Sequence, residues 1–519
     1  MGAAVGIDLG TTYSAIARVN ESGIPEVIPN AEGSPITPSV VLFDGESAVV
    51  GAVAKEALAT DPENVVQLIK RHMGSKWVFS SGGVTYRPEH ISALILRKVV
   101  HDASLLIGPI DRAVITVPAY FNDSMRLATR QAGEMAGLEV LSLVSEPTAA
   151  AIAFGYDHRP EDLTGVVFDL GGGTFDVTVM RIHGSELRVL ATGGDPYLGG
   201  ANFDKAIFDE LVARFAASQG ITVTDPDALS LEEFAQVSQE WLARANRAKH
   251  DLTARERTAV ALQVRGRSAR VELTRERFEG LIRVLLDEAM EKTADVLSAA
   301  GLSPPDVNAV LAVGGAIRVP AVRRHLHAMF GRDPDTTVRP DEAVALGAAL
   351  FAARRQIEEG EFLTLGGDAR QYLEGFTLSD VAAHSLGLLV YDRPPSQGGR
   401  SLNSIVLARN TPLPFEGSRT FYTARAGQEQ VTAPILEGED PDPQLCTRVA
   451  EVSVTGLPPG RPAQQPVTVT LRYNRDGILE VTAKDENSGV ESQATIRRTS
   501  TPEDTDNAAA KAVAAIRIE

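Results

Sequence analysis

The stretch Gly6-Ile7-Asp8-Leu9-Gly10-Thr11-Thr12-Tyr13 decides the fold of this chain. Val5 and Ile7 predict a short buried strand, and Asp8 places a carboxylate at the end of that strand. The turn Gly10-Thr11-Thr12 then offers backbone N–H groups and hydroxyls to anionic oxygens, while the carboxylate suits Mg²⁺ and its waters. An acid followed by Gly-Thr is also common turn chemistry, so this motif alone does not identify a nucleotide site.

The same pattern returns in the middle of the chain. Phe168-Asp169-Leu170-Gly171-Gly172-Gly173-Thr174-Phe175-Asp176 again follows an apolar run, and two such hairpins predict two related lobes that hold one nucleotide between them. A third glycine turn, Val313-Gly314-Gly315, also follows an apolar run and suits the close approach of a base or ribose. Three glycine turns after three strands favour a nucleotide site over ordinary loops.

Composition narrows the class of protein. The chain has 519 residues, enough for several domains with their own cores. A formal net charge of −18 argues against a nucleic-acid partner, which would require a basic face. Cys446 is the only cysteine, so no intrachain disulfide can form and a reducing compartment is expected. Without a signal peptide or a long apolar run, we expect a cytoplasmic protein with no membrane contact.

The order of predicted elements indicates an α/β region followed by an all-β region. Strands are expected at 5–19 (two strands and a turn), 39–43, 113–118, 140–144 and 309–312. Helices are expected at 52–58, 65–72, 91–105, 122–137, 149–154, 203–217, 231–251, 320–330 and 341–355, with another after Thr274. In the β region an alternating hairpin turns at Asp476-Gly477, and at the end 508–518 predicts one short helix that packs on the sandwich through Val513, Ile516 and Ile518.

At these motifs the chain resembles the seventy-kilodalton heat-shock (DnaK-type) chaperone family. The matching stretches are 6–14, 113–124, 145–151, 169–176, 198–200, 313–320, 340–345, 476–479 and 483–485. The resemblance implies an α/β two-lobed actin-like ATPase domain followed by an all-β sandwich that binds peptides. It divides the chain into an ATPase domain at 1–355 (lobes 1–165 and 166–355), a linker at 356–385, a sandwich at 386–500 and a tail at 501–519.

The resemblance also implies an activity, with ATP and Mg²⁺ as cofactors. ATP hydrolysis would control the binding of unfolded or extended apolar polypeptides, with a J-domain co-chaperone and a nucleotide-exchange factor as further partners and a monomer as the working form. The implied catalytic residues are Lys70, Glu146, Thr174, Asp8 and Asp169, the last two holding Mg²⁺ through water. The implied nucleotide contacts are Gly10, Thr11, Thr12, Tyr13, Gly171, Gly172, Gly173, Gly199, Gly200, Asn246, Lys249, His250, Thr253, Gly314, Gly315, Arg318 and Asp341. Phe421 and Val431 would line the peptide site, and Pro118 and Arg126 would relay between the domains.

The chain departs from the family pattern at several places. Asn246 stands where the family usually has Glu, which predicts an altered ribose contact, and the segment between Lys70 and Ile91 is shorter than usual. In the linker, Phe376-Thr377-Leu378-Ser379-Asp380 replaces a run of leucines, so we expect weak docking of this segment. The tail is too short for a helical lid, which indicates a lidless member.

Two alternatives stay open. A sugar or acid kinase of the same two-lobed fold would leave the β region without a purpose. A nucleotide-gated interaction protein that binds one dedicated partner is favoured by the unusual linker and tail.

Overall fold

The computed structural model describes residues 3–45, 47–58, 60–225, 229–335, 337, 339–361, 363, 365–393, 397–474, 479–495 and 503–518. Its strands are β1 (Ala3–Asp8), β2 (Tyr13–Val19), β3 (Pro25–Ile28), β4 (Thr37–Pro38), β5 (Val40–Asp44), β6 (Ser47–Val50), β7 (Val65–Gln67), β8 (Phe79–Ser81), β9 (Val84–Tyr86), β10 (Ile110–Val117), β11 (Glu139–Ser145), β12 (Leu163–Leu170), β13 (Phe175–His183), β14 (Glu186–Asp195), β15 (Arg257–Val264), β16 (Arg267–Thr274), β17 (Ala309–Val313), β18 (Thr377–Ser379), β19 (Leu386–Tyr391), β20 (Ser401–Leu407), β21 (Phe415–Tyr422), β22 (Gln430–Glu437), β23 (Thr447–Thr455), β24 (Pro466–Tyr473), β25 (Leu479–Asp485), β26 (Glu491–Thr495) and β27 (Arg517–Ile518). Its α-helices are α1 (Ala52–Ala57), α2 (Pro88–Ile107), α3 (Asp123–Met135), α4 (Glu146–His158), α5 (Gly200–Gln219), α6 (Leu231–Ala254), α7 (Arg275–Ala299), α8 (Pro320–Phe330), α9 (Ala343–Glu358), α10 (Gly367–Gly375) and α11 (Glu503–Ala515). Within these ranges no helix has the length and apolar character needed to cross a membrane.

Two mixed sheets share one local topology. We call them the N-terminal sheet (β11-β10-β1-β2-β3, with β4 beside β2) and the central sheet (β17-β12-β13-β14-β18). In the first, β1 is antiparallel to β2 and parallel to β10; in the second, β12 is antiparallel to β13 and parallel to β17. The two glycine-containing turns therefore connect equivalent strands, as the repeated motif predicted.

Helices α4 and α9 pack closely between these sheets because small residues line their contacts. A Cβ atom on Gly347 of α9 would stand 1.7 Å from the carbonyl oxygen of Ala149 in α4. A Cβ atom on Gly6 of β1 would stand 2.0 Å from the backbone nitrogen of Ala349 in α9. Backbones that approach this closely bring the ends of β1 and β12 together, and those ends carry the motif acids.

The helix predicted at 65–72 is wrong. Residues Val65–Gln67 form β7, which pairs with β5, and a 3₁₀ helix covers Ile69–His72. Leu68 lies between them in the left-handed region at φ 56°. The two β-branched valines favour an extended backbone and supply apolar contacts on β5, which outweigh the helical spacing of the segment.

The segment predicted as a linker packs on the central sheet. Its helix α10 buries Tyr372 and Leu373 in the core formed with α4 and α9, and β18 pairs in parallel with β14. Phe376 is only 3% exposed. Phe376 supplies apolar burial to this contact, and the strand pairing uses backbone groups that any side chain leaves available. The weak docking expected from the sequence stays a prediction.

Two four-stranded sheets form the C-terminal region. We call them the first C-terminal sheet (β20-β19-β22-β23) and the second C-terminal sheet (β21-β24-β25-β26). Both contribute to one apolar core, which includes Leu388 and Val452 from the first and Val469 and Val481 from the second. The predicted Asp476-Gly477 turn lies outside the described residues.

The tail does not pack on these sheets, so the predicted contact with the sandwich is wrong. Helix α11 lies against α2, α3 and β9, and β27 adds to the edge of β6 in parallel. Val513 and Ile516 are buried in the core below the N-terminal sheet. The Arg97 guanidinium donates hydrogen bonds to the carbonyl oxygens of Val513 and Ile516. The sequence correctly predicted that the apolar residues of the tail pack against the protein. Their periodicity does not specify which surface they contact.

Candidate functional site

A buried ion pair lies between the N-terminal and central sheets. The ammonium group of Lys70 donates a hydrogen bond to Glu146, and the two side chains are almost fully buried. Lys70 comes from the 3₁₀ helix, while Glu146 is the first residue of α4, directly after the N-cap Ser145, whose hydroxyl accepts from the Thr148 amide. A helix N-terminus stabilises a carboxylate, so this position suits Glu146.

Three aspartates surround this pair. Asp8 accepts a hydrogen bond from the Thr116 hydroxyl at 3.0 Å, and Asp176 accepts one from the Tyr120 amide at 3.0 Å. Burial, with Glu146 nearby, raises the pKa of Asp8 and that of Asp176 to about 7. Burial also raises the pKa of Asp169 well above its usual range, and the neighbouring Glu146, Asp176 and Asp8 add to this effect.

This excess of buried negative charge fits a divalent cation. Carboxylates that repel one another lose their charge unless a cation compensates them. Among the described residues, no group of three or more His, Cys, Asp and Glu side chains has the spacing of direct metal ligands. The carboxylates of Asp8 and Asp169 are of the type that can hold Mg²⁺ through its waters, which that ion retains readily.

The two phosphate-type turns face each other across this cluster. A Cβ atom on Gly172 would stand 1.6 Å from the Thr12 hydroxyl oxygen, and one on Gly173 would stand 2.3 Å from a Thr11 methyl carbon. Only glycine permits this approach. Gly10 and Thr174 close their respective turns, and the Gly171 amide donates to the Thr174 carbonyl oxygen at 3.0 Å.

The third and fourth glycine motifs adjoin the second turn. The amide of Gly200, at the start of α5, donates to the Gly171 carbonyl oxygen at 2.9 Å, and a Cβ on Gly199 would stand 2.7 Å from the Gly173 backbone. Gly314 adopts a left-handed φ of 85° and lies against Leu170, while Gly315 beside it faces open space. The glycines named from the sequence are thus brought into one region.

Helix α6 supplies the other predicted nucleotide contacts. Lys249 donates to the Gly200 carbonyl oxygen at 3.2 Å and pairs with Asp204 at 2.8 Å. Asn246 donates to the same Asp204 at 3.0 Å. The amide that stands in place of the family's usual glutamate is therefore hydrogen-bonded to an acid of α5. The Thr253 hydroxyl donates within its own helix to the Lys249 carbonyl oxygen. Burial lowers the pKa of His250.

Three further predicted residues line the outer part of the region. The guanidinium of Arg318 forms an ion pair with Asp341, and both are partly exposed. On the N-terminal side, the Lys55 ammonium donates to the Tyr13 hydroxyl at 2.7 Å and lies 4.7 Å from the centre of its ring. Lys55 was not among the predicted site residues, because nothing in its local sequence distinguishes it from a surface lysine.

The remaining predicted residues lie elsewhere. Phe421 on β21 and Val431 on β22 belong to different C-terminal sheets, and both are half-buried against their shared core. Pro118 and Arg126 lie beside the end of β10 and on α3, and the Arg126 guanidinium donates to the Phe121 carbonyl oxygen at 3.2 Å. Asp176 is a buried acid for which the sequence predicts no role, although it stands directly opposite Asp169 in the β12–β13 register.

The comparison with known families decides the assignment. The model of the family described as Hsp70 protein matches residues 4–515, nearly the whole chain. The chain belongs to the Hsp70 family. Hsp70-family proteins are ATP-dependent chaperones that hydrolyse ATP, bind ATP together with Mg²⁺ and bind unfolded polypeptides and co-chaperones in general terms. The facing glycine turns and the buried acids of this Hsp70-family chain are chemically suited to that general activity.

The Hsp70-family chain also has direct contacts between its α/β and C-terminal sheets. The Tyr473 hydroxyl of β24 donates to Asp123 at the start of α3. His384 contacts the Tyr120 carbonyl oxygen at 3.0 Å through Nε2, and the Arg409 guanidinium donates to the Thr192 carbonyl oxygen at 2.7 Å. Burial raises the pKa of Asp123 to about 6 and lowers the pKa of His384.

Proposed function

We propose that this chain is an ATP-dependent chaperone in which ATP hydrolysis between the N-terminal and central sheets controls peptide binding by the C-terminal sheets. The observation that carries the proposal is the buried Lys70–Glu146 pair, which lies among Asp8, Asp169 and Asp176 beneath two facing glycine turns. Phosphoryl transfer needs positioned donors and charge stabilisation more than a strong nucleophile, and this cluster provides both.

Each group then has a distinct part in the reaction. Thr11, Thr12 and the amides of Gly171–Gly173 orient the phosphates. The ammonium of Lys70 lies close to the charge that develops on the transferred phosphoryl group, and Glu146 orients that ammonium through their ion pair. Asp8 and Asp169 would hold Mg²⁺ through its waters, and the ion would neutralise phosphate charge when bound. Thr174, buried between the two acids of its hairpin, orients the attacking water.

The C-terminal sheets supply the second part of the proposal. An extended apolar segment would bind by strand-like backbone bonds with one side chain against Phe421 and Val431. Both side chains retain exposed area against the shared core, as a binding surface requires. The contacts of Tyr473, His384 and Arg409 with the α/β region give the two parts a physical connection.

Replacing Lys70 by Ala tests the ATPase assignment. We expect Mg²⁺-dependent turnover to fall by about 100-fold or more while ATP affinity changes only a few-fold, because Lys70 acts on the transition state more than on the bound substrate. Turnover is measured by phosphate release and ATP affinity by equilibrium titration. The exposed Lys76, six residues further along, provides the matched control: Lys76→Ala should behave as the parent. Turnover of Lys70→Ala within about twofold of the parent would refute the assigned role.

A further inference from the structure

The side chain of Arg71 connects the 3₁₀ helix that carries Lys70 with the glycine turns next to the central sheet. Arg71 is the chain neighbour of Lys70, and its Nε donates to the Gly173 carbonyl oxygen at 2.9 Å. Its Nη2 donates to the Asn202 side-chain oxygen at 2.8 Å and to the Tyr197 carbonyl oxygen at 3.3 Å. The guanidinium of Arg71 therefore donates hydrogen bonds to three acceptors, which lie in the two glycine turns and at the start of α5.

These acceptors belong to the two glycine turns that approach the phosphates. Gly173 ends the first of them. The same Asn202 oxygen also accepts from the Gly199 amide at 3.0 Å, which fixes the second turn. The amides of Gly200 and Ala201 then donate to the carbonyl oxygens of Gly171 and Gly172 at 2.9 and 2.8 Å. Arg71 is thus one end of a continuous network that runs through both turns.

We infer that Arg71 is a positioning residue for phosphoryl transfer, which fixes the Gly171–Gly173 turn relative to Lys70; this inference rests on the proposed ATPase function. Arg71 does not itself touch the reacting atoms. Its backbone continues directly from that of Lys70, and its side chain binds the opposite turn, so one residue connects the segment that carries the ammonium with the turn proposed to hold the phosphates. Misplacement by about 1 Å in such a site can cost about 100-fold in rate.

The chemistry of the contacts explains why arginine occupies this position. The planar guanidinium directs its N–H groups along fixed, different directions, which matches acceptors on three separate segments. A lysine ammonium reaches one or two of them from a single point.

Four variants test the inference: Arg71→Ala, Arg71→Lys, Asn202→Ala and the double variant Arg71→Ala/Asn202→Ala. We expect the single-turnover rate of ATP hydrolysis by Arg71→Ala to fall about 10- to 100-fold, with ATP affinity changed less than about threefold. Millimolar guanidinium should restore part of that rate, and Arg71→Lys should be intermediate. The double variant should lose less than the product of the two single losses, since the contact between Arg71 and Asn202 is counted in both.

A second readout does not depend on hydrolysis. Hydrogen exchange of the Gly200 and Ala201 amides, measured without nucleotide, should be faster in Arg71→Ala than in the parent. The control Arg472→Ala removes an exposed pair with Glu416 in the second C-terminal sheet and should change neither readout. Unaltered exchange at 200 and 201, or a hydrolysis rate within about twofold of the parent, would overturn the positioning role. A parent protein that hydrolyses no ATP would instead refute the proposed function, while the exchange result would still decide whether Arg71 holds the turns.

Discussion

At the scale of single residues, Asp123 links the α/β and C-terminal sheets through a buried, titratable contact. Its carboxylate accepts from the Tyr473 hydroxyl, and Arg126 and Glu437 are the other charged groups that face it. Burial raises its pKa from the ordinary 3.8 to about 6, so the docked state binds a proton that the undocked state has already lost. Docking should therefore strengthen as pH falls from about 7 towards 4.

Replacing Asp123 by Asn removes the free-energy cost of burying a charged carboxylate. Burial disfavours the charged form of this carboxyl, so its charge opposes docking at neutral pH. We expect Asp123→Asn to dock more tightly than the parent at pH 7.5, and the difference to shrink towards pH 5. Energy transfer between labels on α2 and β23 reports docking. Glu437 acts in the same direction as Asp123 and His384 in the opposite one, so only the difference between variant and parent isolates Asp123.

Asp162→Asn, at an exposed position of the α/β region, serves as the control and should follow the parent at every pH. Equal docking of Asp123→Asn and the parent at pH 7.5 would show that this carboxylate carries no docking penalty.

Candidate site residues could be predicted from the sequence where they lie together in one local turn. The glycine turns and their acids form motifs of fixed spacing, and the structure brings those residues into one region. Asp176, Arg71 and Lys55 were not identified, because a motif gives residue type and not the direction of a side chain. The contact of Arg71 with Asn202 joins positions 131 residues apart in the chain, which no local pattern encodes.

At the scale of elements, the tail shows what periodicity can and cannot predict. Val513 in α11 and Ile516 directly after it form one apolar face, as their spacing indicates, but the partner of that face is the core with α2 and not the sandwich. The two-residue strand β27 continues the contact by pairing with β6. The sequence of a helix specifies its apolar face, whereas the surface that receives it depends on the whole fold.

Charges placed on this face should release the tail. Each buried side chain contributes roughly 1.5–3 kcal/mol, so Val513→Asp/Ile516→Asp should remove most of the docking energy of α11. We expect faster hydrogen exchange in β6 and a melting temperature of the α/β region lower by several degrees. Ala514→Asp adds the same charge on the exposed side of the helix and should leave both unchanged. Full protection of β6 in the double variant would mean that the tail does not cover this edge in solution.

At the scale of the whole molecule, the proposed peptide site and the proposed ATPase site lie in regions joined by polar contacts. The segment before the C-terminal sheets docks on the central sheet through β18, and Tyr473, His384 and Arg409 add contacts beyond it. The order of the α/β and β regions could be predicted from composition and alternation. Their docked arrangement could not, because it depends on side chains from distant segments that match only after each region has folded.

The choice between a general chaperone and a protein with one dedicated partner belongs to this scale. In the described part of the chain, helix α11 packs against α2, α3 and β9, so its main contacts lie away from Phe421 and Val431. A peptide bound there should consequently leave within seconds, with the weak affinity expressed mainly as a fast off-rate. A general chaperone should also suppress the aggregation of an unrelated denatured protein.

Val431→Asp tests this reading, because a charge at the half-buried Val431 opposes the binding of an apolar side chain. We expect this variant to lose both the binding of fluorescent apolar peptides and the suppression of aggregation. Thr432→Asp places the same charge at the next, exposed position of β22 and should retain both. Thermal unfolding of the two variants controls for loss of the fold. Release over minutes that ATP accelerates would contradict an uncovered site. A parent protein that binds no peptide and suppresses no aggregation, yet hydrolyses ATP, would favour one dedicated partner, because the ATPase would then act on a surface that general clients do not recognise.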